Sequence, residues 1–326
     1  MGRQIALYFA WDRCAEAGAP LGVLDNRFPA LFEVRRLLWP RFEKLADGAR
    51  FDQGIAGFIE HIFLENFRGF AEQAQSASGH PVRIAHRRVQ SNYVAIDHSL
   101  LTGVDTLIII SFDSLGTRQS ADPGEIGALR EFLRNPDHTL FVCPHHDIGA
   151  AEDVPAEELL ARQIAEFRHH ADAAIPGQQR FGGYALSVLS GLGLPIRNRF
   201  GLRPARNSDG SPAPFKLVAR DRSGLFLGLK SLNLHPHLPH FEPHEAGASK
   251  LEVLIRQPID STASEHPFAA SGRTDFDAVL QSRADVFAGH LLVTDATVWA
   301  SVFGGLVDLS RFWWNVALQP TASAGT

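Results

Sequence analysis

The chain has 326 residues, of which 45% are hydrophobic and 21% are charged. This length fits one large domain or two modest ones, and the apolar share excludes global disorder. No run of about 18 apolar residues occurs, which excludes a membrane-spanning helix, and a formal net charge of -5 argues against a general nucleic-acid binder.

Cysteine usage and the first residues indicate where the protein works. Two cysteines, Cys14 and Cys143, are too few for a disulfide framework. The first ten residues carry one basic residue and a short apolar run, which differs from a secretory signal. We therefore expect a cytoplasmic protein without a membrane partner.

Strands and helices alternate through the first part of the chain. Apolar runs predict strands, and apolar residues at helical spacing predict helices. In chain order these are strand 4–11, helices 30–45 and 51–77, strand 81–86, strand 106–112, helix 123–134 with Asp122 as N-cap, strand 138–143, and helices 157–170 and 184–191. This alternation predicts a doubly wound α/β fold, with a mostly parallel sheet and helices on both faces.

The pattern weakens beyond residue 194, where the composition is that of loops and short strands. Candidate strands at 215–219, 225–229 and 251–255 predict a mixed β and loop extension inserted around 195–265. A late core strand at 290–295 and a helix at 306–318 then close the fold. We expect one domain over 1–320, followed by a flexible tail at 321–326.

Acids and histidines follow four of the predicted strands. In open parallel sheets, ligands bind beyond the carboxyl ends of the strands, so these groups are expected to share one rim. Single Asp and Ser residues after strands also serve as caps and turn formers, but agreement among four strand ends favours a site. The catalytic candidates are His145, His146, Asp147, Asp12, Asp113 and Asp295, and the substrate-binding candidates are Ser114, Thr297 and His240.

Two histidine-rich segments could supply the chemistry. Adjacent side chains in an extended segment point to opposite sides, so only one of His145 and His146 is expected to face the site. His235 and His237 are two positions apart, which places them on one face of an extended chain, as ligands of a divalent metal such as zinc. Histidines flanked by prolines also occur in surface loops without a ligand. The loop that carries His235, His237 and His240 is expected to close over the rim of the sheet.

Three central segments resemble the middle of class I glutamine-amidotransferase-like domains, including ThuA-like proteins: TLIIISFDS, GEIGALREFLR and HTLFVC. Residues 292–299 and 312–316 are similar to the closing strand and helix of uncharacterised members. The resemblance covers about half of the chain. It implies a flavodoxin-like doubly wound sheet and a carbohydrate or other polar small molecule as ligand. The family's nucleophile elbow, Gly-x-Cys-x-Gly, does not occur, and Pro144 follows Cys143, so no catalytic triad is transferred and glutaminase activity is not expected.

The sequence thus predicts an enzyme of the amidotransferase-like fold that acts on a polar small molecule. Hydrolysis by a metal-activated water is the expected chemistry if the histidines bind a divalent metal. The alternative is a non-catalytic module for small-molecule binding or protein assembly, which has retained the fold. A homo-oligomer is compatible with either function, and nucleic acid is not an expected partner.

Overall fold

The computed structural model describes residues 2–12, 64–89, 92–113, 115–147, 154–170, 181–232, 235, 237–301 and 307–318. The predicted helix at 30–45, the first part of the helix at 51–77, Ser114 and the tail lie outside the described residues. Within the described part, no helix is long and apolar enough to cross a membrane.

A mostly parallel sheet forms the centre of the molecule. Eleven strands are described: β1 Ile5–Asp12, β2 Arg83–Val89, β3 Asn92–Tyr93, β4 Thr106–Ser111, β5 Thr139–Pro144, β6 Ile196–Leu202, β7 Lys216–Leu217, β8 Leu238–Pro243, β9 Leu251–Pro258, β10 Asp275–Ser282 and β11 His290–Val293. The large sheet has the order β3-β2-β1-β4-β5-β11-β10-β9-β7, and β6 and β8 form a separate antiparallel pair. The segment β2-β1-β4-β5-β11 is parallel and has the flavodoxin strand order. This confirms the predicted fold class.

Helices cover both faces of the sheet. The described α-helices are α1 Arg68–Ser78, α2 His98–Leu101, α3 Pro123–Phe132, α4 Leu159–His170, α5 Gly183–Leu192, α6 Glu245–Ala248, α7 Pro267–Ala270 and α8 Val307–Leu318. Successive strand side chains point to opposite faces, so Leu7 and Phe9 pack with α1 and α8, whereas Tyr8 packs with α3 and α5. Both faces are therefore buried, which explains the continuous apolar runs of the central strands.

The extension differs from its prediction in detail. The expected strand at 225–229 is wrong, because residues 225–228 form a turn. The Asp221 carboxylate stabilises that turn by accepting hydrogen bonds from the backbone N–H groups of Gly224 and Phe226. Strands β6, β8 and β10 were not predicted, since their apolar residues are interrupted by proline or charged residues.

A buried ion pair, whose carboxylate accepts several further hydrogen bonds, stabilises one face of the sheet. Arg87 and Glu125 are both buried, with Arg87 Nη1 donating to Glu125 Oε1 over 2.7 Å. The same carboxylate also accepts hydrogen bonds from Tyr184 Oη and from the backbone N–H groups of Ile96 and Asp122. Glu125 therefore joins α3, α5 and the β2 strand through one side chain.

Two buried histidines hold α4 against the extension. His169 Nδ1 donates to the Ser264 carbonyl over 2.6 Å, and its Nε2 accepts from the Arg203 backbone N–H. His266 Nδ1 accepts from the Phe268 N–H over 2.9 Å and so caps α7. The Nε2 atom of His266 lies 3.9 Å from Glu166 Oε1, which itself accepts from Arg162 Nε over 2.6 Å.

Acid is expected to destabilise the fold through His266. Burial, with the charges of His169 and Arg162, lowers its pKa from 6.5 to about 2. Below pH 6.5 the unfolded chain therefore binds a proton at this histidine that the folded chain does not. The free energy of unfolding consequently decreases as the pH is lowered. From about pH 7.5 to about pH 5.5, the free energy of unfolding should fall by about 1.4 kcal/mol more than in His266→Asn, whose amide oxygen retains the cap. Equal pH slopes in denaturant titrations of the two proteins would contradict this.

Candidate functional site

The register of two neighbouring strands brings His145 and Asp295 together. Strands β5 and β11 are parallel, with Val142 opposite Val293, so the residues that follow them leave the sheet at the same level. His145 Nδ1 donates to Asp295 Oδ1 over 2.8 Å, and both side chains are buried. The predicted shared rim is thus occupied at this point by an imidazole and a carboxylate in direct contact.

Asp295 also stabilises the turn that follows it. Its Oδ2 atom accepts hydrogen bonds from the Thr297 backbone N–H, over 2.8 Å, and from the Thr297 hydroxyl. It thereby caps the 3-10 helix Ala296–Trp299. Burial favours a raised pKa for Asp295, but the adjacent His145, with His235 and Thr297, holds its pKa below the ordinary value. The carboxylate is therefore fixed in place and charged.

His235 and His237 complete a cluster with His145. Each of the three residues offers one ring nitrogen, and these nitrogens all lie within 4.8 Å of one another. We call these three residues the histidine cluster. They come from positions about 90 residues apart in the chain, and the fold brings them to the same end of the sheet.

A hydrogen bond selects the tautomer of one cluster member. His145 donates its Nδ1 proton to Asp295, whereas His235 Nδ1 contacts both the carbonyl and the backbone N–H of His237, which are an acceptor and a donor. A neutral imidazole with its proton on Nδ1 has its lone pair on Nε2. Metal-binding histidines commonly donate their other N–H to a carboxylate or a carbonyl in this way. The Nε2 atom of His145 is therefore prepared to accept a metal.

His146 lies beside the cluster, which corrects the expectation that only one of the two adjacent histidines would face the site. The ring centroids of His145 and His146 are 3.9 Å apart, and the His146 ring is 4.6 Å from that of His237. Both residues follow the end of β5, where the backbone is no longer an extended strand and side chains need not alternate.

Several residues that were not predicted from the sequence surround His145. The Asn198 side-chain amide, which is buried, donates to the His145 carbonyl and, over 2.9 Å, to the Phe181 carbonyl. The Phe181 and Phe112 rings lie against His145, with centroid distances of 5.7 and 4.7 Å. Gly182 has a φ of +84°, and a Cβ there would lie 2.6 Å from Pro144 Cβ, so only glycine allows this approach. No local pattern in the sequence indicated these roles.

Two of the other carboxylates predicted to be catalytic, Asp113 and Asp147, have structural hydrogen bonds. Asp113 Oδ2 accepts from the Tyr184 N–H at the start of α5, and its Oδ1 accepts from the Ser111 hydroxyl. Asp147 Oδ1 accepts from the Phe181 N–H over 3.3 Å. Asp113 therefore binds a helix N-terminus, a favourable place for an anion, and Asp147 holds the Phe181 segment.

Of the remaining predicted site residues, one lies next to the histidine cluster and the others do not contribute to it in the described part of the chain. Thr297 donates to Asp295, which in turn holds His145 of the cluster. His240 lies in β8, where its ring packs against Phe268 and Phe200 and its Nδ1 accepts from the Asp277 N–H. Asp12 ends β1 opposite Arg88, but its side chain and all of Ser114 lie outside the described residues.

Cys143 is buried in β5, within the core cluster that also contains Phe112 and Trp299. Its sulfur lies 3.3 Å from the Thr294 hydroxyl and accepts a hydrogen bond from Trp299 Nε1. Burial raises the pKa of the Cys143 thiol to about 12, so the thiolate required for nucleophilic attack is disfavoured.

No protein-family model matches the chain, and no curated protein matches it. We therefore infer the function from the geometry of the histidine cluster and its neighbours. Fold alone does not determine an activity, because the same architecture carries many chemistries.

Proposed function

We propose that the histidine cluster binds a divalent transition metal, most favourably zinc, and that the protein is a metal-dependent hydrolase of a polar small molecule. One observation carries the proposal: three imidazole nitrogens converge within 4.8 Å, and one of the rings is held by a buried carboxylate. The resemblance to amidotransferase-like and ThuA-like domains supports a polar substrate, and the strand order is compatible with that family.

The donor set fits zinc better than magnesium or calcium. Imidazole nitrogen is a common zinc ligand, whereas the two lighter ions prefer oxygen. Tetrahedral zinc with Zn–N bonds of about 2.1 Å separates ligand nitrogens by about 3.4 Å. Small side-chain rotations would bring nitrogens within 4.8 Å of one another to that spacing. Three protein ligands and one open position are typical of catalytic zinc sites.

The residues around the cluster suit a hydrolytic reaction. A zinc ion bound there would supply a water of lowered pKa and polarise the substrate. Asp295 holds His145 in the required tautomer, and the Phe112 and Phe181 rings make one side of the site apolar. His146, which is 1% exposed, lies close enough to the cluster to accept a proton from an attacking water.

Metal analysis of the full chain, purified without a histidine tag, tests the metal site. We expect about one zinc per chain, retained on dialysis. Less than about a tenth of an equivalent, with none taken up on titration, would overturn the site, since tight sites fill under these conditions.

Hydrolysis is tested on chromogenic esters, phosphate esters and glycosides, before and after chelation and zinc restoration. Turnover that is lost with the metal and restored with it is the expected result. A protein that holds zinc but hydrolyses none of the three classes would overturn the hydrolase and favour a non-catalytic module.

Asp295→Asn is expected to lower zinc affinity by about 10- to 100-fold, because the substituted amide no longer holds the His145 imidazole through a charge-assisted hydrogen bond. Asparagine can still cap the following 3-10 helix, so the fold should persist. Competition with a chromophoric chelator measures the change. The exposed carboxylate Asp285 offers a matched control, Asp285→Asn, which should leave the affinity unchanged. Equal affinities for both variants would show that Asp295 does not position the ligand.

A further inference from the structure

A polar cavity lies on the antiparallel extension, outside the histidine cluster. It has a volume of about 380 Å³, and its wall includes His240, Arg256, Arg273, Thr274, Asp275 and Asp277. This volume is in the lower part of the range for small-molecule sites. The wall thus combines cationic and anionic side chains with a buried imidazole.

The charged side chains of this wall, together with the adjacent Lys216, are unequally matched. Arg256 Nε donates to Asp277 Oδ1 over 2.8 Å, and Lys216 Nζ donates to Asp275 Oδ2 over 2.7 Å. Arg273 has no hydrogen bond or carboxylate partner among the residues that the structure describes. Its guanidinium instead lies over the Phe268 ring, 4.7 Å from the centroid. One positive charge therefore remains available to a ligand, on a side chain that an aromatic face orients.

His240 adds a hydrogen-bond donor to the cavity wall. It is 4% exposed, and its Nδ1 accepts from the Asp277 N–H over 3.1 Å. Burial, followed by the charge of Arg273, lowers the pKa of His240 to about 4, so the ring is neutral at pH 7 and its proton is on Nε2. None of the described residues accepts a hydrogen bond from this Nε2–H, which leaves it available to a ligand in the cavity.

We propose that this cavity binds the carboxylate group of a small organic monoanion. The planar guanidinium of Arg273 matches a carboxylate, and the His240 Nε2–H and the Thr274 hydroxyl are further donors to it. Asp275 and Asp277, although paired, lie in the same wall and disfavour a dianion such as phosphate. The proposal is independent of a metal in the histidine cluster.

Calorimetric titration of the full chain with glycolate, a small carboxylate that also carries a hydroxyl, tests the site. We expect saturable binding with a millimolar Kd, weakened about tenfold or more in Arg273→Gln, since a charge-assisted hydrogen bond is lost. The matched control is Arg283→Gln, an exposed arginine outside the cavity, which should bind as the unmodified chain does.

Three results would overturn the proposal. The first is no saturable binding of glycolate up to about 10 mM, where a millimolar site is largely filled. The second is binding that Arg273→Gln leaves unchanged. The third is inorganic phosphate binding more tightly than glycolate, which would assign the cavity to a dianion. Zinc content serves as a separate measurement, so failure here leaves the metal proposal standing.

Discussion

Replacing His237 with alanine is expected to lower zinc affinity by about 100- to 1,000-fold. Structural zinc sites with four ligands bind with about 10–16 kcal/mol, so each ligand accounts for about 2.5–4 kcal/mol. His145→Ala should have an effect at least as large, because it also leaves the buried Asp295 carboxylate without its imidazole partner. Chelator competition measures both affinities, and metal content after dialysis gives an independent reading.

A histidine in the same part of the chain provides the control. His244 is exposed and follows β8, and it is not part of the cluster. His244→Ala should retain the zinc content and affinity of the unmodified chain. If His237→Ala and His244→Ala bound zinc equally well, the histidine cluster would not be the metal site.

Glu125→Ala is expected to lower the free energy of unfolding by about 3–5 kcal/mol. The substitution leaves the buried Arg87 guanidinium without its carboxylate, and breaking a buried pair from one side has this cost. The Tyr184 hydroxyl and the Ile96 N–H also lose their acceptor. Urea unfolding, with the slope compared between variants, measures the loss.

Glu131 offers a matched control on the same helix. It pairs with Arg134 at 2.5 Å, but its side chain is 50% exposed and that of Arg134 is 76% exposed. Solvent screens such a pair, so Glu131→Ala should change stability by no more than about 0.5 kcal/mol. If the two variants lost similar amounts of unfolding free energy, burial of the Arg87–Glu125 pair would not explain the contribution of Glu125 to stability.

The central sheet could be predicted because its strands are buried on both faces. Residues 106–112 and 138–143 are nearly continuous apolar runs, and they correspond to β4 and β5. The extension could not be predicted as well. Strand β8 contains two prolines, and β10 begins with alternating aspartates, so neither has a clear apolar period. Their pairing depends on contacts between segments that are distant in the chain.

The candidate site was predicted only in part, because it also depends on contacts between segments that are distant in the chain. Strand ends pointed to His145 and Asp295, and two-residue spacing pointed to His235 and His237. The sequence led us to expect that the loop closes over the rim, but no pattern identified His145 as the partner of the two loop histidines. The register of β5 with β11 and the return of the chain into β8 establish that link. Asp113 shows the limit of the strand-end rule, since its carboxylate serves the N-terminus of α5.

The distance along the chain between His145 and His235 has a thermal consequence. A bound ion would tie together two points about 90 residues apart, much as a disulfide staples a loop. On a chain-entropy basis, such a closure disfavours the unfolded ensemble by up to about 4–5 kcal/mol. If zinc binds as proposed, the metal-loaded protein would unfold at a higher temperature than the metal-free protein. Cells short of zinc would then contain a less heat-stable form of the protein.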